Sequence, residues 1–153
     1  IMRVQTASDM YEACINLFPS SDLAIMSAAV ADYSPREKAT EKIKKKEEEL
    51  NLTLDKTKDI LKSLGTMKRE GQFLVGFALE TNNEREHAWQ KLQSKNADLV
   101  VLNSLRDEGA GFGQSTNKIV IFDREGRAFP FGLKSKKEVA RDIINTIQQK
   151  LHA

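Results

Sequence analysis

Leu23-Ala24-Ile25-Met26-Ser27-Ala28-Ala29-Val30-Ala31-Asp32-Tyr33 is the stretch whose reading decides the fold. Its continuous apolar start, over residues 23–29, predicts a central strand covered on both faces, because a one-sided strand would alternate. The small residues that follow end on one carboxylate, Asp32. Small side chains let a backbone approach a flat ligand, and a carboxylate can grip a hydroxyl or a metal. The C-terminal end of a strand is where α/β sheets bind ligands. Glu41-Lys42-Ile43-Lys44-Lys45 comes next and supplies positive charge. Together these features predict a site for a nucleotide or another anionic substrate.

Upstream, Arg3-Val4-Gln5-Thr6 reads as a strand running into a helix. Nothing before it offers a pairing partner, so the expectation is a piece of a longer protein. Thr6 and Asp9 match a capping box. Met10, Ala13, Cys14 and Leu17 then recur at helical spacing until Pro19-Ser20 ends the helix. Downstream, residues 34–56 carry Pro35, many charges and the alternation Leu50-Asn51-Leu52-Thr53-Leu54, the pattern of a two-stranded flap. A helix is predicted over 57–69, with Ile60, Leu61, Leu64 and Met67 on its apolar side. Phe73-Leu74-Val75-Gly76-Phe77-Ala78-Leu79 is a second buried strand. Asn83 and Glu86 form a second capping box, and Asp98–Asn103 is a third strand. Gly109-Ala110-Gly111-Phe112-Gly113 leads to a strand over Lys118–Asp123, and Glu125-Gly126 turns the chain into a short one near Ala128–Phe131. Ser135 and Glu138 cap a last helix, whose Val139, Ile143, Ile147 and Leu151 repeat every four residues. Alternating helices and buried strands predict a single α/β domain over 1–153, with a mostly parallel sheet, a C-terminal β-hairpin and a flap.

At 153 residues, 40% hydrophobic and 30% charged, the chain has the composition of a globular domain. A net charge of +2 gives no footprint for nucleic acid, so any functional positive charge is local. The one cysteine, Cys14, excludes an internal disulfide and every multi-cysteine zinc site, which fits a reducing cytoplasm. No apolar run approaches the ~20 residues of a membrane span. The expectation is a cytoplasmic protein without membrane or nucleic-acid partners.

The lysines admit two readings each. Lys42, Lys44, Lys45 and Lys46 precede Glu47-Glu48-Glu49, as in a charge-balanced solvated loop. Alternatively, a lysine on a flap closes over a ligand and stabilises developing charge. Lys91 and Lys95 lie one turn apart with no acid at neighbouring positions. They are two solvated side chains, or they hold a polyphosphate through charge-assisted hydrogen bonds. The glycine-rich 109–113 segment lacks Walker spacing and precedes a strand, so a structural turn is the better reading. His87 and His152 are too scattered for a metal site or a triad, and Cys14 reads as a structural thiol.

Ala28-Ala29-Val30-Ala31-Asp32-Tyr33, Glu41-Lys42-Ile43-Lys44-Lys45, Asp59-Ile60-Leu61 and Val75-Gly76-Phe77-Ala78-Leu79-Glu80-Thr81 resemble, in order and spacing, the phosphopantothenate–cysteine ligase family. Lys91, Lys95, Asp98, Asn103, Gly111-Phe112 and Asn117 complete the resemblance, which runs over essentially the whole chain. This family is the ligase half of the bacterial Dfp flavoprotein of coenzyme A synthesis. The resemblance implies a three-layer Rossmann-like fold. It also implies ligation of 4′-phosphopantothenate to L-cysteine through an acyl-nucleotide, with CTP favoured over ATP and Mg2+ on the triphosphate. It further implies a homodimer when full length and, in bacterial proteins, a fused flavin-dependent decarboxylase.

Carried over by position, the resemblance sets Met26, Ser27 and Ala28 against the nucleotide and Asp32 on the nucleotide or its metal, with no other metal ligand assigned. Lys42 becomes the active-site lysine. Lys58, Asp59, Ile60 and Leu61 lie along the nucleotide, Phe77 near the base, and Lys91 and Lys95 on the phosphates. Position 58 holds Lys where the family usually has Pro. The family's N-terminal βαβ part, with its opening strand and glycine-rich turn, is missing upstream of Ile1, so the chain alone is expected to be inactive. The competing class is a non-catalytic nucleotide-binding module; a nucleic-acid binder is disfavoured by the charge balance and the lack of aromatics beside the lysines.

Overall fold

The computed structural model describes residues 1–37, 39, 41–43, 50–80, 83–104 and 113–152. Lys44–Lys46, Thr81 and the 109–112 part of the glycine-rich segment lie outside them. Among the described residues, five strands form one sheet in the order β1 (Leu23–Met26), β4 (Phe73–Glu80), β5 (Leu99–Ser104), β6 (Thr116–Asp123), β7 (Ala128–Ser135). β1 pairs with β4 and β4 with β5 in parallel, whereas β6 is antiparallel to both β5 and β7. Only β6 therefore runs against the other four. β2 (Tyr33–Pro35) and β3 (Leu54–Lys56) form a separate antiparallel ribbon, the expected flap.

Alternation along the inner strands makes three layers. Leu74, Ala78, Val100, Leu102 and Phe122 point to one face, against α2 (Ile60–Met67) and α3 (Glu84–Ser94). α1 (Ala7–Leu17) packs on the same side. Val75, Leu99, Val101, Ile119 and Ile121 point to the other, against Val139, Ile143 and Ile147 of α4 (Lys136–Leu151). Both α2 and α3 lie in crossovers between parallel neighbours, and right-handed crossovers put them on one face. All four helices among the described residues begin at the edge formed by the C-terminal ends of β1, β4, β5 and β7. Residues 6–8, the N-cap and first residues of α1, lie beside Lys56–Lys58, α2 and α3 start after the flap and β4, and α4 starts directly after β7.

Several local expectations change. Residues 1–5 form no strand, and Val4 is exposed. β1 spans four residues rather than seven, sits at the sheet edge, and is only half-buried throughout. Leu17 is exposed; Phe18, in the following 3-10 turn, takes the buried position instead. α2 begins at Ile60, because Asp59 accepts the Lys62 N–H at 2.9 Å and acts as its N-cap. Asn83 is left-handed (φ 46°) and its side chain makes no cap bond, so the second capping box is absent. The boxes at Thr6/Asp9 and Ser135/Glu138 are both formed. β7 runs on to Ser135, and Leu151 at the end of α4 is exposed.

The β6–β7 turn carries a closed ionic cluster. Asp123, 1% exposed, accepts the Arg127 N–H at 2.9 Å, the Arg127 Nε–H at 2.8 Å, and Lys150 Nζ from α4. Burial pushes the Asp123 carboxyl up, but the Lys150 and Arg127 hydrogen bonds outweigh it and hold it well below the usual carboxylate range.

Candidate active site

The flap springs from the wall of a cavity. Thr57, just after β3, donates its N–H to the Asp32 carbonyl at 2.8 Å and its hydroxyl to the Ala31 carbonyl at 2.7 Å. Farther out, Arg36 and Asp55 pair through both carboxylate oxygens. Those ties fix the backbone after β1 against the start of α2, and a cavity of about 220 Å³ opens between them. That is below the ~300–1,000 Å³ of sites that enclose a drug-sized ligand, so this is an open cleft that grips part of a larger molecule.

Its walls gather most of the expected residues. Met26, Ala28 and Asp32 come from the end of β1, Lys58, Asp59, Ile60 and Leu61 from the start of α2, and Phe77 from β4. Lys91 and Lys95 close it from α3. Met10, Val30, Ala31 and Thr57 also line it and were not anticipated. Met10 was legible only as a helix-face residue, and nothing in the sequence says that α1 reaches the cleft. Two expected residues lie elsewhere. Ser27 faces a second cavity, of about 470 Å³, on the α4 side of the sheet, and Phe77 forms a wall of both. Lys42 is exposed and does not line the cleft.

Three lysines face two carboxylates in the cleft, so a local positive excess exists in a nearly neutral chain. The Lys91/Lys95 face has an acid neighbour after all: Lys95 Nζ lies 2.6 Å from Asp59 Oδ2, across from α2. Burial raises the Asp59 carboxyl. The Lys95 hydrogen bond, the Lys62 N–H and the charges of Lys95 and Lys91 outweigh it and hold it below its ordinary value. Lys58 stacks its ammonium 4.5 Å from the Tyr11 ring centroid, joining α1 to the cleft. Elsewhere, burial pushes the Cys14 thiol up, away from the thiolate a nucleophile needs. No group of three or more His, Cys, Asp or Glu able to hold a metal occurs among the described residues.

Residues 1–151 match the model of the DNA/pantothenate metabolism flavoprotein C-terminal domain. The chain belongs to this family. A CoaBC bifunctional protein of coenzyme A biosynthesis from Bacillus subtilis (strain 168) is 43% identical over 144 residues, covering 94% of this chain and 35% of that protein. A protein from an unidentified prokaryote, named cysteine/cysteine sulfinic acid decarboxylase, is 47% identical over 152 residues, or 99% of this chain and 42% of that protein. The crystal structure of the C-terminal domain of a CoaBC protein superimposes with a TM-score of 0.79 at 36% identity, covering 99% of this chain and 65% of that one. The family thus carries the fold described above, and the chain spans well under half the length of these two curated relatives. No helix among the described residues is long and apolar enough to cross a membrane.

Proposed function

We propose that the protein carrying this chain ligates 4′-phosphopantothenate to L-cysteine at the expense of a nucleoside triphosphate, CTP rather than ATP. The observation that carries this reading is the cleft at the β1 and β4 ends, where ten of the residues expected from the family resemblance meet. Membership of the pantothenate-metabolism family supports it further.

The substrate carboxylate attacks the α-phosphorus, an acyl-nucleotide forms, and pyrophosphate leaves. The cysteine amine then attacks the acyl carbon, forming the amide and releasing the nucleoside monophosphate. Activation matters because a carboxylate oxygen is a poor leaving group and a nucleotide phosphate a good one. Ala28 and Phe77 flank the nucleoside, and Lys91 and Lys95 bind the phosphates. Asp32 is the carboxylate that would hold Mg2+, which would supply charge neutralisation of the triphosphate. Lys42, on the flap, serves the passage from acyl-nucleotide to amide; its exposed position makes flap closure part of the step. Exposed Tyr33, Leu52 and Leu54 on the flap fit a homodimer, placed in the cytoplasm. A relative named as a decarboxylase fits a fused decarboxylase half.

In the full-length protein, pyrophosphate release from CTP should require phosphopantothenate, and product should require cysteine. Nucleotide binding with no such coupling would leave the non-catalytic module as the better reading. Lys42→Ala should let the acyl-nucleotide accumulate with little amide formed; undiminished turnover would remove Lys42 from the mechanism.

A further inference from the structure

Asp59 is an odd residue to find in a cleft meant for a polyanion, because a carboxylate there repels the ligand. Its surroundings explain it. The last turn of α3 is pressed onto the middle of α2 at Gly65, where a Cβ would lie 1.7 Å from the Lys95 carbonyl oxygen. Asn96 locks the contact by donating to the Gly65 carbonyl at 2.7 Å. The Lys95 backbone is thereby fixed at Gly65, and its side chain runs along α2 to the N-cap, six residues or ~9 Å of helix axis away. There Nζ meets Asp59 Oδ2 at 2.6 Å, while Oδ1 is held by the Lys62 N–H at 2.9 Å. A carboxylate with one oxygen tied to its own helix cannot swing aside.

From this geometry we infer that Asp59 is a positioning residue, whose carboxylate holds the Lys95 ammonium aimed into the cleft as a ready phosphate donor. The inference rests on the nucleotide reading above and assigns the Asp59 side chain to the lysine rather than to the nucleotide. A free lysine carries rotamer entropy that a ligand would otherwise have to freeze. Asp59 freezes it beforehand, and phosphate oxygens can share the remaining ammonium protons.

The two roles open to Asp59 predict opposite signs. As a mere negative charge in an anion site, its loss would tighten binding of the polyanion. As a positioning residue, its loss weakens binding. Asp59→Asn separates them, because asparagine caps a helix about as well as aspartate, yet its neutral amide holds an ammonium more weakly. Asp59→Ser, which can cap but is too short to reach Lys95, is the second variant. CTP binding to the full-length protein, measured by calorimetry, should weaken about tenfold in Asp59→Asn, the loss of one charge-assisted bond's worth of preorganisation. Introduced into a Lys95→Ala background, Asp59→Asn should cost nothing further. Unchanged or tighter binding in both Asp59 variants would overturn the inference, as would an equal loss with and without Lys95. Failure of the unaltered protein to bind CTP would overturn the nucleotide reading and this inference with it.

Discussion

Two lysine–aspartate pairs at opposite ends of the molecule show how the same chemistry serves structure in one place and binding in another. At the hairpin turn, Asp123 is 1% exposed and both its oxygens are taken by protein donors, leaving no room for anything else. At the cleft, the Asp59 and Lys95 side chains are 40% and 24% exposed and both line a cavity. The first pair is saturated, so its loss takes hydrogen bonds from the fold, although Glu125 still pairs with both cations. The second is open, so its charge remains available to a ligand. Saturation and exposure, rather than the pair itself, decide which role follows.

Asp123→Ala puts the largest strain on that contrast. Removing the shared acceptor takes away its hydrogen bonds from Lys150 and Arg127, both of which keep Glu125 as a partner, and should cost about 2–4 kcal/mol of stability, read by urea denaturation. A loss near zero would place the hairpin cluster in the same class as the cleft pair.

Gly65→Ala comes next. Its Cβ meets a backbone oxygen, which has nowhere to go, so α3 must lift off α2. Overpacking of this kind costs about 1–3 kcal/mol. Because it also moves Lys95, CTP binding should weaken in the folded variant, an effect with no counterpart at Asp123.

Acid provides the finest test. A carboxylate held below its unfolded pKa contributes stability that is full above ~3.9 and is lost as pH falls toward the folded value. Asp123→Asn should therefore flatten the decline of stability below about pH 4. Asp59→Asn should change that decline much less, since solvent screens a half-exposed pair. Acid unfolding curves that respond equally to the two would erase the distinction.

How much of this was legible depended on range. The caps at Thr6 and Ser135 involve only a few residues and were readable directly. Asn83 failed the same test because its backbone is left-handed and its side chain makes no cap bond. The buried runs in β4 and β5 announced a sheet covered on both faces, since no exposed strand could carry them. β1 reads just as apolar and is half-buried at the end of the described sheet. In the cleft, residues near strand ends and helix starts were found from the family's motif order. The Asp59–Lys95 bond was not, because its partners are 36 positions apart and only packing at Gly65 unites them. The separation of Lys42 from the cleft was equally invisible, because a motif fixes sequence distance and leaves spatial distance open.

All four helices among the described residues start at one edge of the sheet, and the reversed strand β6 is what brings α4 into line with the others. Peptide dipoles add along each helix to roughly half a positive charge at its start. Each start also carries an acid, namely Asp9, Asp59, Glu84 with Glu86, and Glu138, which answers that charge within the helix itself. The edge therefore gathers backbone N–H groups and carboxylates alike, and the positive excess a ligand meets there comes from the cleft lysines.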